Sequence, residues 1–267
     1  MSVFIHIGPP KTATTSLQTS IIPHLGVPFA IKPGWARGLA RDPGFVPARS
    51  HDQDLIVSEE MLGDFGAYPP QQLAARLASM FGDATILFCV RDPLALFYSL
   101  YRQRLVNEIE LQVEAFKKSW RYEPATPAQF LASRWAEFRR NGTGFFAIID
   151  TDGVKSAFER HFTFRTYDFA LLQKDPMAFA GAFAELCDRP LSGILSWENQ
   201  TTAAKLEEAL AQLPPEAPDG LADRYRMFFG LRLNAECEEF ITIGPPRQYL
   251  PVTQSALFAE AQARLSA

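Results

Sequence analysis

The fold is decided by residues 3–16, which read VFIHIGPPKTATTS. The apolar run Val3–Ile7 is typical of a buried strand in a parallel sheet. This run ends at Gly8, the segment Pro9–Lys11 is predicted to form a turn, and Thr12 to about Ile22 has the pattern of a helix that Pro23 ends. A strand, a tight turn and a helix in this order predict the first unit of an α/β fold.

The rest of the chain continues this alternation. Short apolar runs predict further strands at 55–58, 84–90, 145–149 and 162–167. Helices are predicted at 71–81, 92–116, 126–141, 154–161, 177–187, 202–213, 221–233 and 253–266. Residues 23–50 are rich in glycine and proline and are predicted to be a loop. We therefore expect an α/β fold, a three-layer sandwich with a central parallel sheet, in a single domain over residues 1–267.

Composition narrows the function before any motif is considered. The net charge is −4, whereas a nucleic-acid-binding surface needs the opposite sign. The three cysteines are scattered without metal-binding spacing, which predicts buried free thiols in a reducing compartment. The sequence has neither a signal-peptide pattern nor an apolar run of membrane-spanning length. These features predict a soluble cytoplasmic protein with no nucleic-acid partner.

The turn after the first strand carries a cluster of anion-binding groups. Lys11 supplies an ammonium group, and Thr12, Thr14, Thr15 and Ser16 supply hydroxyls. Backbone N–H groups at the start of the following helix add further donors. Threonine and serine at a helix start are often only caps. Strand, turn, lysine and hydroxyls occur here together, which favours a phosphate or sulfate site.

A second candidate anion ligand follows the strand predicted at 84–90. Arg91 comes directly after that strand, and ligands of open parallel sheets bind beyond the carboxyl ends of the strands. A guanidinium group at this edge suits a phosphate. Ser99 lies about two helical turns further on, on the same side of the predicted helix. The alternative is a structural Arg91–Asp92 cap with a buried serine.

These two motifs together resemble the PAPS-dependent sulfotransferase family, whose donor is 3′-phosphoadenosine 5′-phosphosulfate (PAPS). The loop Gly8–Ser16 is similar to the family pattern G-x-P-K-[TS]-G-T-[TS], with Ala13 in place of the usual glycine. Arg91-Asp92-Pro93 followed by Ser99 is similar to the family's R-D-P and S-x-Y signature. The resemblance implies a P-loop NTPase-like sulfotransferase fold, with bacterial members as the nearest in pattern. It also implies a set of donor-binding residues: Pro10, Lys11, Thr12, Ala13, Thr14, Thr15, Ser16, Arg91 and Ser99.

The resemblance implies in-line transfer of a sulfuryl group to an acceptor hydroxyl, without a metal. Lys11 is then a catalytic residue that neutralises the leaving oxygens. A general base is required, and the candidates are Glu60, which is slightly favoured, Glu59, and then His51 and His24. The acceptor is expected to be a carbohydrate or another small polar molecule. The oligomeric state stays open.

Two other functions remain open at this point. One is a small-molecule kinase that uses ATP and Mg²⁺, but its loop pattern has glycine immediately before the lysine, where this chain has Pro10. The other is a nucleotide-binding module without catalytic activity, because a fold alone does not establish a reaction.

Overall fold

The structure is a computed structural model, and it describes residues 2–41, 54–115, 124–191, 193–196 and 202–243. It divides into two compact units, each made of two stretches of chain. The first unit comprises residues 1–92 and 136–199, and the second comprises residues 93–135 and 200–267. The single domain over residues 1–267 therefore stays a prediction.

The first unit contains a five-stranded, fully parallel sheet in the order β2-β3-β1-β4-β5. In the register of the central strands, Val3 lies opposite Leu55 on one side and Ala84 on the other. Predicted strands are confirmed at four of the five positions. The strands are β1 (Val3–His6), β2 (Phe29–Ile31), β3 (Leu55–Ser58), β4 (Ala84–Val90) and β5 (Thr163–Asp168).

Both faces of this sheet are covered. Every residue of β1 and β3 is buried, although successive side chains point to opposite faces. On one face, Phe4 belongs to a core cluster that includes Leu17 of the first helix. On the other face, the rings of Phe88 and Phe158 both pack against Phe164, with centroids 5.9 and 6.0 Å away. The predicted three-layer α/β arrangement is thus confirmed for this unit.

Helices make up most of the remaining described residues. In the first unit they are α1 (Thr14–Ser20), α2 (Gly34–Arg41), α3 (Glu60–Gly63), α4 (Pro70–Ala78), α7 (Phe145–Ile149), α8 (Thr151–Phe158), α9 (Ala170–Lys174) and α10 (Pro176–Leu186). The second unit contains α5 (Pro93–Ala115), α11 (Ala203–Leu210), α12 (Leu221–Gly230) and α13 (Ala235–Ile243). Helix α6 (Pro127–Asn141) contains the boundary between the units. The helix predicted at 253–266 lies outside the described residues.

The strand predicted at 145–149 is wrong, because these residues form helix α7. A short apolar run does not distinguish a buried strand from a buried helix. Phe145–Ile148 are all buried, and Gly144, at φ 76°, starts the helix with its carbonyl accepting from Ala147 and Ile148 at 3.0 and 3.1 Å. A helix satisfies its backbone hydrogen bonds internally, so it needs no neighbouring strand here.

The loop predicted at 23–50 is also wrong in its first part. Residues 29–31 form β2, which pairs with β3, and residues 34–41 form α2. The prolines lie where they do not break these elements: Pro28 precedes the strand, and Pro33 precedes the helix. Residues 42–50 lie outside the described residues.

The state of the cysteines and the apolar character of the helices are seen directly in the described residues. Cys89, Cys187 and Cys237 are free thiols, as predicted. Cys89 and Cys187 are buried, but Cys237 is only half-buried, so the prediction of burial is wrong for this cysteine. Among the helices described, none combines the length and the apolar character needed to cross a membrane.

Candidate anion-binding site at the carboxyl ends of the strands

Three neighbouring strands of the first unit end at the same edge of the sheet. The loop Gly8–Ala13 follows β1, Glu59 and Glu60 follow β3, and Arg91 follows β4. Strand β1 lies between the other two, at the point where the chain changes from one side of the sheet to the other. Crevices of this kind are where open parallel sheets bind their ligands.

The loop has a backbone shape that few sequences adopt. Lys11 and Ala13 both have left-handed conformations, at φ 64° and φ 60°. A non-glycine residue in this region costs about 1–2 kcal/mol, which gives a physical reason for glycine at the Ala13 position of the resembling pattern. Left-handed residues occur in the backbone concavities that bind anions through successive N–H groups.

Close packing fixes the start of this loop. A Cβ atom added to Gly8 would lie 2.3 Å from the Thr14 hydroxyl oxygen and 2.7 Å from His6 Nε2. A Cβ atom added to Gly63 of α3 would lie 2.4 Å from the carbonyl oxygen of Ile7. Both glycines are therefore required by the close approach of their neighbours.

The hydroxyls of the loop are partly used within it. Thr12 is fully buried and donates to the carbonyl of Pro9 at 2.6 Å, and its oxygen lies 3.5 Å from that of Thr14. Thr14 and Ser16 are buried as well, whereas Thr15 is half-buried. The Thr12 hydroxyl thus stabilises the loop itself, while Thr15 is the most exposed of the four predicted hydroxyl ligands.

Arg91 supports the loop from the neighbouring strand. Its guanidinium group donates to the carbonyl oxygen of Lys11 and stacks on the ring of Phe169, 4.2 Å from the ring centroid. Its Nε is buried and has no hydrogen-bond partner among the described residues. Burial lowers the pKa of Arg91. The guanidinium group of Arg91 therefore lies beside the backbone of Lys11, the left-handed residue whose side chain carries the ammonium group.

Ser99 lies in helix α5 of the second unit and is half-buried. A shared role of Ser99 and Arg91 on one phosphate stays a prediction.

Glu59 and Glu60 occupy different environments. Glu59 is buried and caps α3, because its carboxylate accepts from the N–H of Met61 at 3.2 Å. Glu60 is half-buried in the first turn of α3. Burial raises the pKa of Glu60, while the positive charges of Lys32 and Lys11 oppose this rise. Glu60 is partly exposed and its pKa is raised, which suits it to accept a proton, whereas the Glu59 carboxylate is buried and used in the cap.

The two histidine alternatives differ from the glutamates. His24 is exposed in a 3₁₀ turn, Ile22–His24, beyond the end of α1 opposite to the loop. The seven residues of α1 span about 10 Å, so His24 lies well away from Lys11. His51 lies outside the described residues.

A buried hydrogen-bond network beneath the loop was missed in the sequence. His6 is fully buried; its Nδ1 lies 2.7 Å from the Ser58 hydroxyl, and its Nε2 lies 2.8 Å from the Tyr167 hydroxyl. Gln18 donates to the same Ser58 hydroxyl at 3.0 Å. Burial lowers the pKa of His6 to about 3, so the ring is neutral. The signal for this network was a histidine inside an otherwise apolar strand.

Lys32 was missed as well. It lies at the end of β2 with a left-handed backbone, at φ 48°, and its N–H donates to the carbonyl of Ser58 at 2.9 Å. Its exposed ammonium group acts on Glu60. Non-glycine residues in such conformations are concentrated at functional sites. Among the described residues, no group of three or more potential ligands could hold a metal ion.

The first unit therefore defines an α/β protein with a lysine-bearing loop at the switch point of its sheet. No protein-family model matches the chain, and no curated protein matches its sequence. One solved structure with some likeness is a sulfotransferase from Alicyclobacillus acidocaldarius. It is 14% identical with a TM-score of 0.44, over 87% of this chain and 97% of that one. Such a likeness does not establish a shared activity.

Proposed function

We propose that this chain is a sulfotransferase that moves a sulfuryl group from PAPS to the hydroxyl of a small polar acceptor, such as a carbohydrate. The observation that carries the proposal is the loop after β1, in which Lys11 and Ala13 are left-handed and Arg91 holds the Lys11 carbonyl. The resemblance of the motifs indicates PAPS as the donor. ATP is disfavoured, because the loop has Pro10 where the pattern of ATP-binding loops has glycine before the lysine.

The donor set of the loop suits a phosphosulfate group. Lys11 is a half-buried cation, Thr15 is half-buried as well, and the left-handed residues favour a concave row of N–H groups. Two cationic groups, those of Lys11 and Arg91, lie at one edge of the sheet. A doubly or triply charged group is stabilised in such a place by charge-assisted hydrogen bonds.

The reaction that fits this set is an in-line displacement at sulfur. The acceptor oxygen forms a bond to sulfur, and the bond from sulfur to the bridging oxygen of the 5′-phosphate breaks. Lys11 stabilises the negative charge that develops on that leaving oxygen. Glu60 accepts the proton of the acceptor hydroxyl, since its raised pKa brings it closer to the working pH. Glu59 keeps α3 in place through its cap.

The test is transfer of ³⁵S from labelled PAPS to a panel of sugars, phenols and other alcohols. In Lys11→Ala we expect the rate to fall about 100- to 1,000-fold, the typical loss for one group that stabilises developing charge. Glu60→Gln should lose about 100-fold or more, because the carboxamide cannot accept the proton. Lys174→Ala is the matched control, since Lys174 is an exposed lysine at the end of α9, and it should transfer at the wild-type rate.

Other outcomes distinguish the alternatives. Transfer of the γ-phosphoryl group of ATP with Mg²⁺, without any transfer from PAPS, would identify a kinase instead. Binding of the adenosine bisphosphate product without turnover of any acceptor would indicate a nucleotide-binding module. Equal activity of wild type and Lys11→Ala would contradict the proposed role of the loop.

A further inference from the structure

Two arginines of the second unit lie close to each other. Arg102 lies in helix α5, and Arg232 lies in the short segment between α12 and α13. Tyr98 precedes Arg102 by four residues, so the two side chains share one face of α5. The segment 229–233 lies against this face.

Stacking and hydrogen bonds hold both guanidinium groups in place. The Arg232 group lies over the ring of Tyr98, 4.4 Å from its centroid, and the Arg102 group lies 5.2 Å from the ring centroid of Phe229. Arg102 Nε also donates to the Phe229 carbonyl at 3.4 Å. The N–H of Leu233 donates to the Tyr98 hydroxyl at 2.9 Å, which fixes the segment on the helix. Both cations are thus positioned before any ligand arrives.

The two positive charges are close enough to affect each other. Burial lowers the pKa of Arg102, and the charge of Arg232 lowers it further. The carboxylate of Glu238 accepts a hydrogen bond from the Tyr98 hydroxyl at 2.7 Å and forms no ion pair with either arginine. The two like charges repel each other, and solvent screens part of this repulsion because Arg232 is exposed.

Other arginines of the same unit differ from this pair. Arg104 pairs with Glu108, and Arg226 pairs with both Glu207 and Asp223. Neither Arg102 nor Arg232 forms an ion pair with any residue that the structure describes. Each guanidinium group carries five N–H donors, which is more than the contacts to Tyr98 and Phe229 use.

We propose that Arg102 and Arg232 form a binding site for an oxyanion, namely the sulfate, phosphate or carboxylate group of a small molecule. Paired guanidinium groups suit such groups because each presents N–H donors in a planar fork that matches two oxygens. The site is made only of residues of the second unit, so it does not rest on the proposed sulfotransferase activity.

The test is a titration of the full chain with sodium sulfate at constant ionic strength, followed by the ¹⁵N–¹H signals of the arginine Nε groups. We expect saturable shifts of the Arg102 and Arg232 signals with a Kd on the order of millimolar. Arg232→Gln, at an exposed position, should weaken this affinity at least about tenfold. Arg226→Gln is the matched control, since it removes an exposed arginine that is already paired, and it should leave the affinity unchanged.

The possible outcomes show first whether the site exists and then which kind of anion it binds. No saturable shift in the wild type, or equal weakening in Arg226→Gln and Arg232→Gln, would overturn the proposal. If sulfate binding is specific, adenosine 3′,5′-bisphosphate is added next. Displacement of sulfate by the bisphosphate would assign the site to a nucleotide phosphate, and simultaneous binding would assign it to an anionic group of another small molecule. A failure of the sulfotransferase proposal would leave the sulfate result intact, because sulfate binding is measured without PAPS.

Discussion

The loop after β1 and the arginine pair of the second unit both present positive charge, but they are built differently. The loop depends on its backbone: left-handed residues, two glycines in close contact with their neighbours, and a buried hydrogen-bond network beneath it. The arginine pair depends on side chains that stack on the rings of Phe229 in α12 and Tyr98 in α5. Changes in the first region should therefore lower the free energy of unfolding strongly, whereas changes in the second should mainly weaken ligand binding.

The largest effect is expected from adding one methyl group beneath the loop. In Gly63→Ala the new Cβ would lie 2.4 Å from the Ile7 carbonyl oxygen and 2.7 Å from the backbone of Gly8. Backbone cannot move aside as a flexible side chain can, so the free energy of unfolding should fall by about 3 kcal/mol. Urea denaturation measures this difference.

Gly82→Ala is the control for this substitution. A Cβ at Gly82 meets nothing within 4 Å, so the change should be neutral or stabilising by less than about 1 kcal/mol. Equal stabilities of the two variants would show that the loop is not held by the contact with α3.

The second-largest effect is expected from the protonation of His6, which should destabilise the folded chain in mild acid. The pKa of His6 is about 3 in the folded chain, against an ordinary value of 6.5. Because the pKa is lower in the folded chain, the unfolded state binds more protons than the folded state below pH 6.5. Proton binding therefore favours unfolding, and the folded chain loses stability as the pH falls from 6.5 towards 3. Between pH 7.5 and pH 5 the loss is about 2 kcal/mol. Chemical denaturation at a series of pH values measures it.

His6→Gln supplies the comparison, because a glutamine does not titrate. This variant is expected to be less stable at pH 7.5 but to lose much less stability than the wild type on going to pH 5. Parallel pH profiles would mean that His6 is not the buried neutral group of this network.

A smaller effect is expected on the pH dependence of transfer. Lys32 opposes the rise in the pKa of Glu60, so Lys32→Ala should raise that pKa further. The acid limb of the rate profile should then move to higher pH, by a small amount because Lys32 is exposed and solvent screens its charge. Lys174→Ala should leave the limb in place. An unchanged acid limb in Lys32→Ala would show that the charge of Lys32 does not affect Glu60 during transfer.

The smallest effect is expected from the second region. Arg232 stacks on Tyr98 at an exposed position, and such a contact contributes about 0.5–1 kcal/mol. Arg232→Gln should therefore change the free energy of unfolding by no more than that. A loss near that of Gly63→Ala would mean that the pair is a structural element rather than a site.

The loop could be predicted because its residues are consecutive and because a general rule places strand ends together. Lys11 follows β1 and Arg91 follows β4, and parallel neighbours end at the same edge of the sheet. The hydrogen bond from Arg91 to Lys11 could not be predicted, since it depends on the left-handed backbone of the loop.

The missed features involve residues far apart in the chain. His6 and Tyr167 are 161 residues apart, and Arg102 is 127 residues from Phe229. No local pattern joins such pairs. The helix at 145–149 was missed for a different reason, because five apolar residues fit a buried strand and a buried helix equally well.

The most direct measurement of the central claim is a calorimetric titration with adenosine 3′,5′-bisphosphate, beside one with ATP and Mg²⁺. We expect the bisphosphate to bind more tightly than ATP, and Arg91→Ala to weaken its binding at least about tenfold, because the loop loses its support at Lys11. Arg165→Ala is the control, since Arg165 pairs with Asp188 at 3.1 Å and should bind like the wild type. Binding of ATP with Mg²⁺ but not of the bisphosphate, or full affinity in Arg91→Ala, would contradict the sulfotransferase proposal.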